Sequence, residues 1–476
     1  MTAGLDRRQF LQRLAAAGLL AVPATGALAA CATGGGGTSS GGAVGEVSAT
    51  NPLGVAADAP LDVVIFNGGY GEDYAKAHEA MYRELYPQAQ VKHTAITQIS
   101  QEMQPRFVGG NPPDVFLINF RRYGQYAARG ALEPLGPYLE ESEVLDESDF
   151  YQIPMDAFRY RGGELYCIPQ NISSLVVYYN VDMFKANGVP LPTDGWTWDE
   201  FLDAAKKLTK DEDGDGRAEV YGLTVDPSMI RYVPFVWGAG GEVVDDVDNP
   251  TTLTLNTPEA LTGIKWFISL GQTGHKVTPT EAEVQSEDDE SRFMNGRAAM
   301  LMQSRRVVPT LREIESFTWD VAPLPTGPAG PANILHSDAF CMAANTKDKD
   351  AAWAFIEFAV SERGQTILAE TGRTVPSMIR VAESDAFLKG TTAGKVVGSG
   401  ELGLPPASSH VFLDNIASMR RVPSVSTWPE VEDAFNTAFK RAFYIELDVE
   451  DAIDVVTFTA REAFERARQE EEARQG

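Results

Sequence analysis

Compact apolar runs that end in polar turn residues recur along this 476-residue chain. The first is LDVVIFNGG (Leu61 to Gly69), which has the pattern of a buried strand running into a loop. From Glu72 to Pro87 the apolar positions Tyr74, Ala77, Met81 and Leu85 are spaced for a helix, and Pro87 stops it. Gln90–Ile96 predicts the next strand. Pro113–Phe120 predicts another strand entering a loop, and Arg122–Gly130 a short helix. Strands alternating with helices predict an α/β fold with a parallel-rich sheet covered on both faces. Ligands in such sheets sit beyond the carboxyl ends of the strands, which directs attention to Asn67–Glu72 and Asn119–Tyr123.

A second α/β segment starts near Glu164. SLVVYYN (Ser174 to Asn180) is β-branched and aromatic, hence a strand, and the short helix after it closes at Gly188. Thr197 followed by Glu200 forms a capping box, with Asp199 adding negative charge to the first turn. Phe201, Leu202, Ala205 and Leu208 line one face of that helix, joined by Trp198, and Trp196 occupies the staple position before the cap. Both tryptophans therefore have a structural role. Ala298–Met302 predicts a strand ending in the polar Gln303, Ser304 and Arg305, and SDAFCMAAN (Ser337 to Asn345) predicts another. Lys349–Gln365 and the stretches Trp428–Tyr444 and Val449–Arg468 have helical amphipathicity.

The first thirty residues alter this picture. Arg7 and Arg8 precede an apolar run broken by Pro23, too short and too rich in alanine and glycine for a spanning helix and well suited to a signal segment. With Phe10 and Leu11 the arginines resemble a twin-arginine export signal, and LAAC (Leu28 to Cys31) resembles a lipoprotein processing box. That resemblance implies lipid attached to Cys31 after removal of residues 1–30. Residues 31–60 then form a Gly/Ser-rich tether. The formal charge of −27 argues against a polyanionic partner, and the sequence has no basic stripe of the kind nucleic acid requires.

Two features remain open on the residues alone. Asp211, Asp213, Asp215 and Gly216 match the first half of a calcium loop, with Glu219 at the ninth position. Gly222 stands where the bidentate glutamate belongs, so the stretch is either a polar turn or a weak structural calcium site. Cys167 and Cys341 form either one bridge or two small buried hydrophobes.

Four stretches taken in order resemble the extracellular solute-binding proteins of ATP-driven importers, in the maltose-binding-like branch that carries sugars. They are YCIPQNISSLVVYYNVDMFKANGV, WTWDEFLDAAKKLT, SRFMNGRAAMLM and AAWAFIEFAVSERGQ. The resemblance covers Leu61 to the C-terminus, though Ser384–Ser409 matches no part of the pattern. It implies a two-lobed periplasmic-binding-protein-like α/β fold, with a ligand cleft between the lobes and crossing hinge strands. Lobe one is expected at 61–168 plus 339–375, and lobe two at 171–335 plus 376–476. On this frame both cysteines fall near the crossing strands.

A sugar offers hydroxyl arrays on its edges and C–H patches on its faces, so a cleft needs planar polar groups and an aromatic ring. Strand-end positions nominate Tyr70, Glu72, Asn119, Tyr123 and Arg373 in the first lobe. In the hinge and second lobe they nominate Asn171, Trp237, Ser304, Arg305 and His336. Trp237 is singled out because a tryptophan before Gly238-Ala239-Gly240-Gly241 is hard to bury. The expected partners are a sugar and the membrane permease of an importer, with the binding protein itself a monomer. Cofactors are not expected beyond structural calcium.

Two rivals compete. An exported glycoside hydrolase needs two carboxylates facing each other across the cleft, and no motif singles out such a pair. A binding protein of the same architecture for glycerol phosphates would use Arg305 and Arg373 as clamps. Other catalytic motifs are lacking: GTSSG (Gly37 to Gly41) lies in the tether, without the strand and helix of a nucleophile elbow. There is no HExxH and no GxxxxGK[ST], and the five histidines show no metal-ligand spacing.

Overall fold

A computed structural model describes residues 60–66, 76, 78–80, 82–83, 91–96, 99–214, 217–272, 274–392, 395–396 and 406–475. The strands in chain order are β1 (Leu61–Phe66), β2 (Val91–Ile96), β3 (Val115–Asn119), β4 (Cys167–Pro169), β5 (Asn171–Ile172), β6 (Leu175–Asn180) and β7 (Met300–Ser304). They continue with β8 (Trp319–Ala322), β9 (Asn333–Ile334), β10 (Asp338–Met342), β11 (Val375–Pro376), β12 (Thr391–Thr392), β13 (Lys395–Val396) and β14 (Met419–Arg420).

Two separate sheets build two lobes. The first is five-stranded in the order β2-β1-β3-β10-β4, with β1 parallel to β2 and β3. Its apolar runs fill the core: Val63, Val64, Ile65, Val115 and Phe116 are fully buried. Strand β10 enters antiparallel to both β3 and β4, because the chain returns here from the second lobe. The second sheet, β7-β6-β8, is antiparallel throughout, unlike the parallel-rich arrangement the alternating pattern predicts. Its parallel contacts are limited to bridges from Tyr221 and Thr224 to the β7 segment.

The chain passes between the lobes at three places. The run β4–β5–β6 leaves lobe one, β9–β10 returns, and β11 pairs antiparallel with β5 beside them. Cys167 of β4 stands directly opposite Cys341 of β10 in this register, and the two form a disulfide with Cα atoms 4.4 Å apart. That settles the alternative left open by the sequence. The 174-residue separation means the bridge closes a loop containing the whole of the second sheet. It staples both crossings where they leave lobe one.

Beyond β14, the helices Trp428–Phe443 and Val449–Gln475 pack on each other and touch both lobes. Toward lobe one, Arg121 pairs with Glu432, and Gly124 lies so close to the Ser424 carbonyl that an added Cβ would sit 1.7 Å from its oxygen. Toward lobe two, the Tyr232 hydroxyl donates to the Phe439 carbonyl at 3.1 Å, and Lys265 meets Glu450 at 2.7 Å. Among the described residues no helix is long and apolar enough to cross a membrane.

Local sequence signals are realised around the paired tryptophans. The Thr197–Glu200 capping box forms, with the Thr197 amide donating to Glu200 at 2.7 Å. Trp198 stacks on Trp266 at 4.6 Å, and the Trp196 indole N–H donates to the Pro323 carbonyl at 2.8 Å. Both rings are core groups with their polar atom satisfied or their face covered.

Candidate functional site

Between the lobes lies a cavity of about 510 Å³, within the range of small-molecule sites. Three structural devices shape it. The end of β3 and the helix Phe120–Ala127 supply Asn119, Arg121 and Arg122 from lobe one. The crossing segments supply the floor, with Asn171, Ser173, His336 and Asp338. Lobe two supplies Asp226, Arg231 and Asp289 beside the end of β7, where Gln303, Ser304 and Arg306 project.

Asp338 organises the floor. Its Oδ1 accepts from Asn119 Nδ2 at 3.1 Å, and its Oδ2 accepts from Asn171 Nδ2 at 3.3 Å. The Asp338 amide in turn donates to Asn171 Oδ1 at 3.3 Å. One carboxylate thus orients two carboxamides from different segments, and charge-assisted bonds make that orientation firm. Asn119 also caps the helix after β3, its Oδ1 accepting from the Arg121 amide and from Arg121 Nε, both at 3.2 Å. Arg121 continues to Glu432, so the C-terminal helix braces this wall.

Lobe two presents a charged wall. Arg231, in the first turn of the helix Met229–Gly238, is buried and meets Asp226 at 3.3 Å and Ser228 Oγ at 2.9 Å. Burial holds its guanidinium below the usual arginine range, while Asp226 and Asp289 oppose that shift. Burial pushes the Asp289 carboxyl up, against the nearby Arg231. Asp289 Oδ2, Ser173 Oγ and His336 Nε2 are buried atoms with no hydrogen-bond partner among the described residues. Each such group costs roughly 1–3 kcal/mol unless something in the cleft meets it.

His336 is held neutral. Desolvation, followed by the fields of Arg121, Arg231 and Arg306, keeps its pKa well below 6.5. A second histidine, His78, is fully buried against Phe355 and Phe358 in lobe one, and burial lowers its pKa to about 3. Both folded values lie below the unfolded one, so below pH 6.5 the unfolded chain binds protons that the folded chain refuses. Stability is therefore expected to fall as pH drops from 7 to 5. The slope is roughly 1.4 kcal/mol per pH unit for each histidine, below about pH 6.5. Urea unfolding across that range checks this, and His78→Gln should flatten the slope by the share of one group.

Of the residues nominated from sequence, Asn119, Asn171, Ser304, His336 and Arg373 come together around the cavity. Tyr70 and Glu72 lie outside the described residues, as do Cys31 and Asp215. Three others are elsewhere. Tyr123 is fully buried in lobe one with its ring 5.2 Å from that of Phe158, and burial raises its phenol pKa. Trp237 sits at the far end of the helix whose first turn reaches the cavity. It is only 6 % exposed, under the Arg420 guanidinium at 4.8 Å. The glycine turn after it permits burial rather than preventing it, since a Cβ on Gly241 would sit 2.6 Å from the Ala260 backbone. Arg305 turns inward at a short 3-10 turn, so Arg306 lines the cavity in its place and pairs with Glu290.

Sequence reading missed Asp226, Arg231, Asp289 and Asp338. A signal existed for the first two: the buried run Tyr221–Val225 ends at Asp226-Pro227-Ser228 and opens a helix, a strand-end loop like those nominated. Asp338 had none, because its partners lie 167 and 219 residues away in sequence. Among the described residues no Phe, Tyr or Trp ring lines the cavity; Leu117, Ile118 and Ile230 supply its apolar surface. In the acidic loop the Asp211, Asp213 and Glu219 carboxylates converge within 4.8 Å of one another at the surface.

Comparisons with known proteins agree with this architecture. An ABC substrate-binding protein from Listeria monocytogenes, solved with cycloalternan, superposes with a TM-score of 0.72 at 23% identity, covering 88% of this chain and 99% of that one. The GacH receptor of Streptomyces glaucescens superposes with a TM-score of 0.70 at 19% identity, covering 85% and 99%. In sequence, the diacetylchitobiose binding protein NgcE of Streptomyces coelicolor is 33% identical over 175 residues, which is 35% of each chain. The maltodextrin-binding protein MdxE of Bacillus subtilis is 22% identical over 379 residues, 75% of this chain and 79% of that one. Residues 67–366 match the bacterial extracellular solute-binding proteins as a family. With its two lobes, crossing strands and interlobe cavity, the chain belongs to that family.

Proposed function

We propose that the protein captures a mono- or oligosaccharide by closing its lobes and delivers it to the membrane permease of an ABC importer. The observation that carries this reading is the floor of the cavity. There Asp338 holds two carboxamides toward the space between the lobes, beside His336 and Ser173 with their unmet polar atoms. Sugar hydroxyls supply donors and acceptors in the paired arrangement such a floor needs. Relatives named for diacetylchitobiose and maltodextrin binding support a saccharide cargo. A ligand touching both lobes favours the closed state by its differential contacts.

The protein is expected to work outside the cytoplasm, tethered by lipid on Cys31, as a monomer without catalytic activity. Mass spectrometry of the membrane fraction checks the lipid: an unmodified Cys31 in mature protein would sink it. A thermal-shift screen against maltotriose, diacetylchitobiose, mannobiose and glycerol 3-phosphate tests the cargo. A rise with a saccharide, and no loss of that saccharide on long incubation, supports binding without hydrolysis. Glycerol 3-phosphate is included because five arginines (Arg121, Arg122, Arg231, Arg306 and Arg373) line the cavity. A rise with it alone would replace the sugar.

The convergent Asp211, Asp213 and Glu219 carboxylates are proposed to hold weak structural calcium. Millimolar calcium is expected to raise the melting temperature by a few degrees over chelator-treated protein. An unchanged melting point makes the loop a polar turn.

A further inference from the structure

Arg305 is among the largest fully buried side chains of the protein, and no carboxylate pairs with it among the described residues. Its Nε donates to the Gly372 carbonyl at 3.1 Å, while Nη1 and Nη2 have no hydrogen-bond partner among the described residues. An unpaired buried cation is costly, so something must offset it. Two rings do. The guanidinium carbon lies 4.1 Å from the ring centroid of Phe387 and 4.6 Å from that of Phe412, within the range of a strong cation–π contact. Burial, and then repulsion from Arg312, bring the Arg305 pKa down to about 9.

The rings come from opposite lobes. Phe387 belongs to the short helix Asp385–Leu388, which packs on the lobe-one helix Glu362–Thr371. Phe412 follows Ser408, whose amide and hydroxyl donate to Asp320 of β8 in lobe two at 2.9 and 2.7 Å. The neighbours of the contact are cavity walls: Ser304 and Arg306 flank Arg305, and Arg373 and Thr374 follow Gly372.

We propose that Arg305 is an interlobe clamp: held between one ring from each lobe and the Gly372 carbonyl, it keeps the two cavity walls in register and sets how readily the cleft opens. It is a positioning residue, acting through Ser304, Arg306 and Arg373. Phe387 lies near the start of the Ser384–Ser409 stretch, and Phe412 three residues beyond its end. The clamp does not depend on which solute is carried.

The test needs no ligand. Spin labels on Glu140→Cys and Asp203→Cys, exposed positions in lobes one and two, report the interlobe distance by pulsed electron resonance, since the native disulfide is buried. The parent protein is expected to show one dominant distance. Phe387→Leu keeps the site apolar but removes one ring, and should raise the open population roughly tenfold. Arg305→Lys, which loses the planar fork and the Nε bond, should do the same and serves if the first variant folds poorly. Adding Arg305→Met to Phe387→Leu removes a clamp that is already broken and should leave the open population where Phe387→Leu puts it. A packing role alone would make that double variant worse. Unchanged distances in both single variants, a double variant more open than Phe387→Leu, or a parent protein already open would each overturn the clamp.

Discussion

Replacing Cys167 and Cys341 together by alanine is expected to lower the stability of the folded chain by about 5 kcal/mol and its melting temperature by roughly 10 °C. The magnitude follows from the loop that the bridge closes. Its 174-residue span is freed in the unfolded chain when the bridge is removed, and closure entropy grows with the logarithm of that length. The two thiol positions are fully buried, so the substitutions also leave small cavities that add to the loss. Position matters as well as length. The bridge joins β4 to β10 where the chain leaves and re-enters lobe one, so its loss frees both crossings at once. Calorimetry of the oxidised parent and the double variant measures the effect. Equal melting points would mean the sheet pairing alone holds the crossings. A buried bridge should also resist mild reductant in the folded state, so brief reduction without denaturant should leave the melting point unchanged. Such a bridge persists outside the reducing cytoplasm, which agrees with an extracellular family.

Asp338→Ala is expected to weaken solute binding about 100-fold while leaving the fold intact. Two carboxamides lose their shared acceptor: Asn119, which also caps a helix, and Asn171, in a crossing strand. Each charge-assisted bond contributes about 1.5–3 kcal/mol when both partners stay buried. Part of that is regained by water in an open cleft, leaving roughly 2.7 kcal/mol of lost preorganisation, or two factors of ten. Calorimetric titration with whichever compound shifts the parent's melting point gives the number. Asp338→Asn is the discriminating companion, because its amide keeps one acceptor and should recover part of the affinity. Equal affinity of Asp338→Ala and parent would mean that the solute sits elsewhere in the cleft.

The chain illustrates how far local pattern reaches. β1, β3 and β6 were legible because each is a short apolar run ending at turn residues, and the backbone needs nothing distant to favour a strand there. The Thr197 capping box was legible for the same reason: donor and acceptor lie three residues apart. Boundaries moved where pairing decided them. The strand expected at Ala298–Met302 lies at Met300–Ser304, because its register is set by β6, with Leu175 opposite Ser304. The helix expected from Arg122 begins at Phe120, because Asn119 caps it.

Charge, the alternation of strands and helices, and the polar strand ends were thus determined by sequence alone, since each depends on residues within a few positions of one another. Only tertiary structure decided which strand ends share a cavity, and that Cys167 faces Cys341. It also decided that Trp237 and Tyr123 are core, and that Arg306 rather than Arg305 reaches the cleft. Those outcomes rest on contacts between segments up to hundreds of residues apart. Their geometry follows from how two sheets and three crossings pack, which the spacing of residues along one strand does not encode.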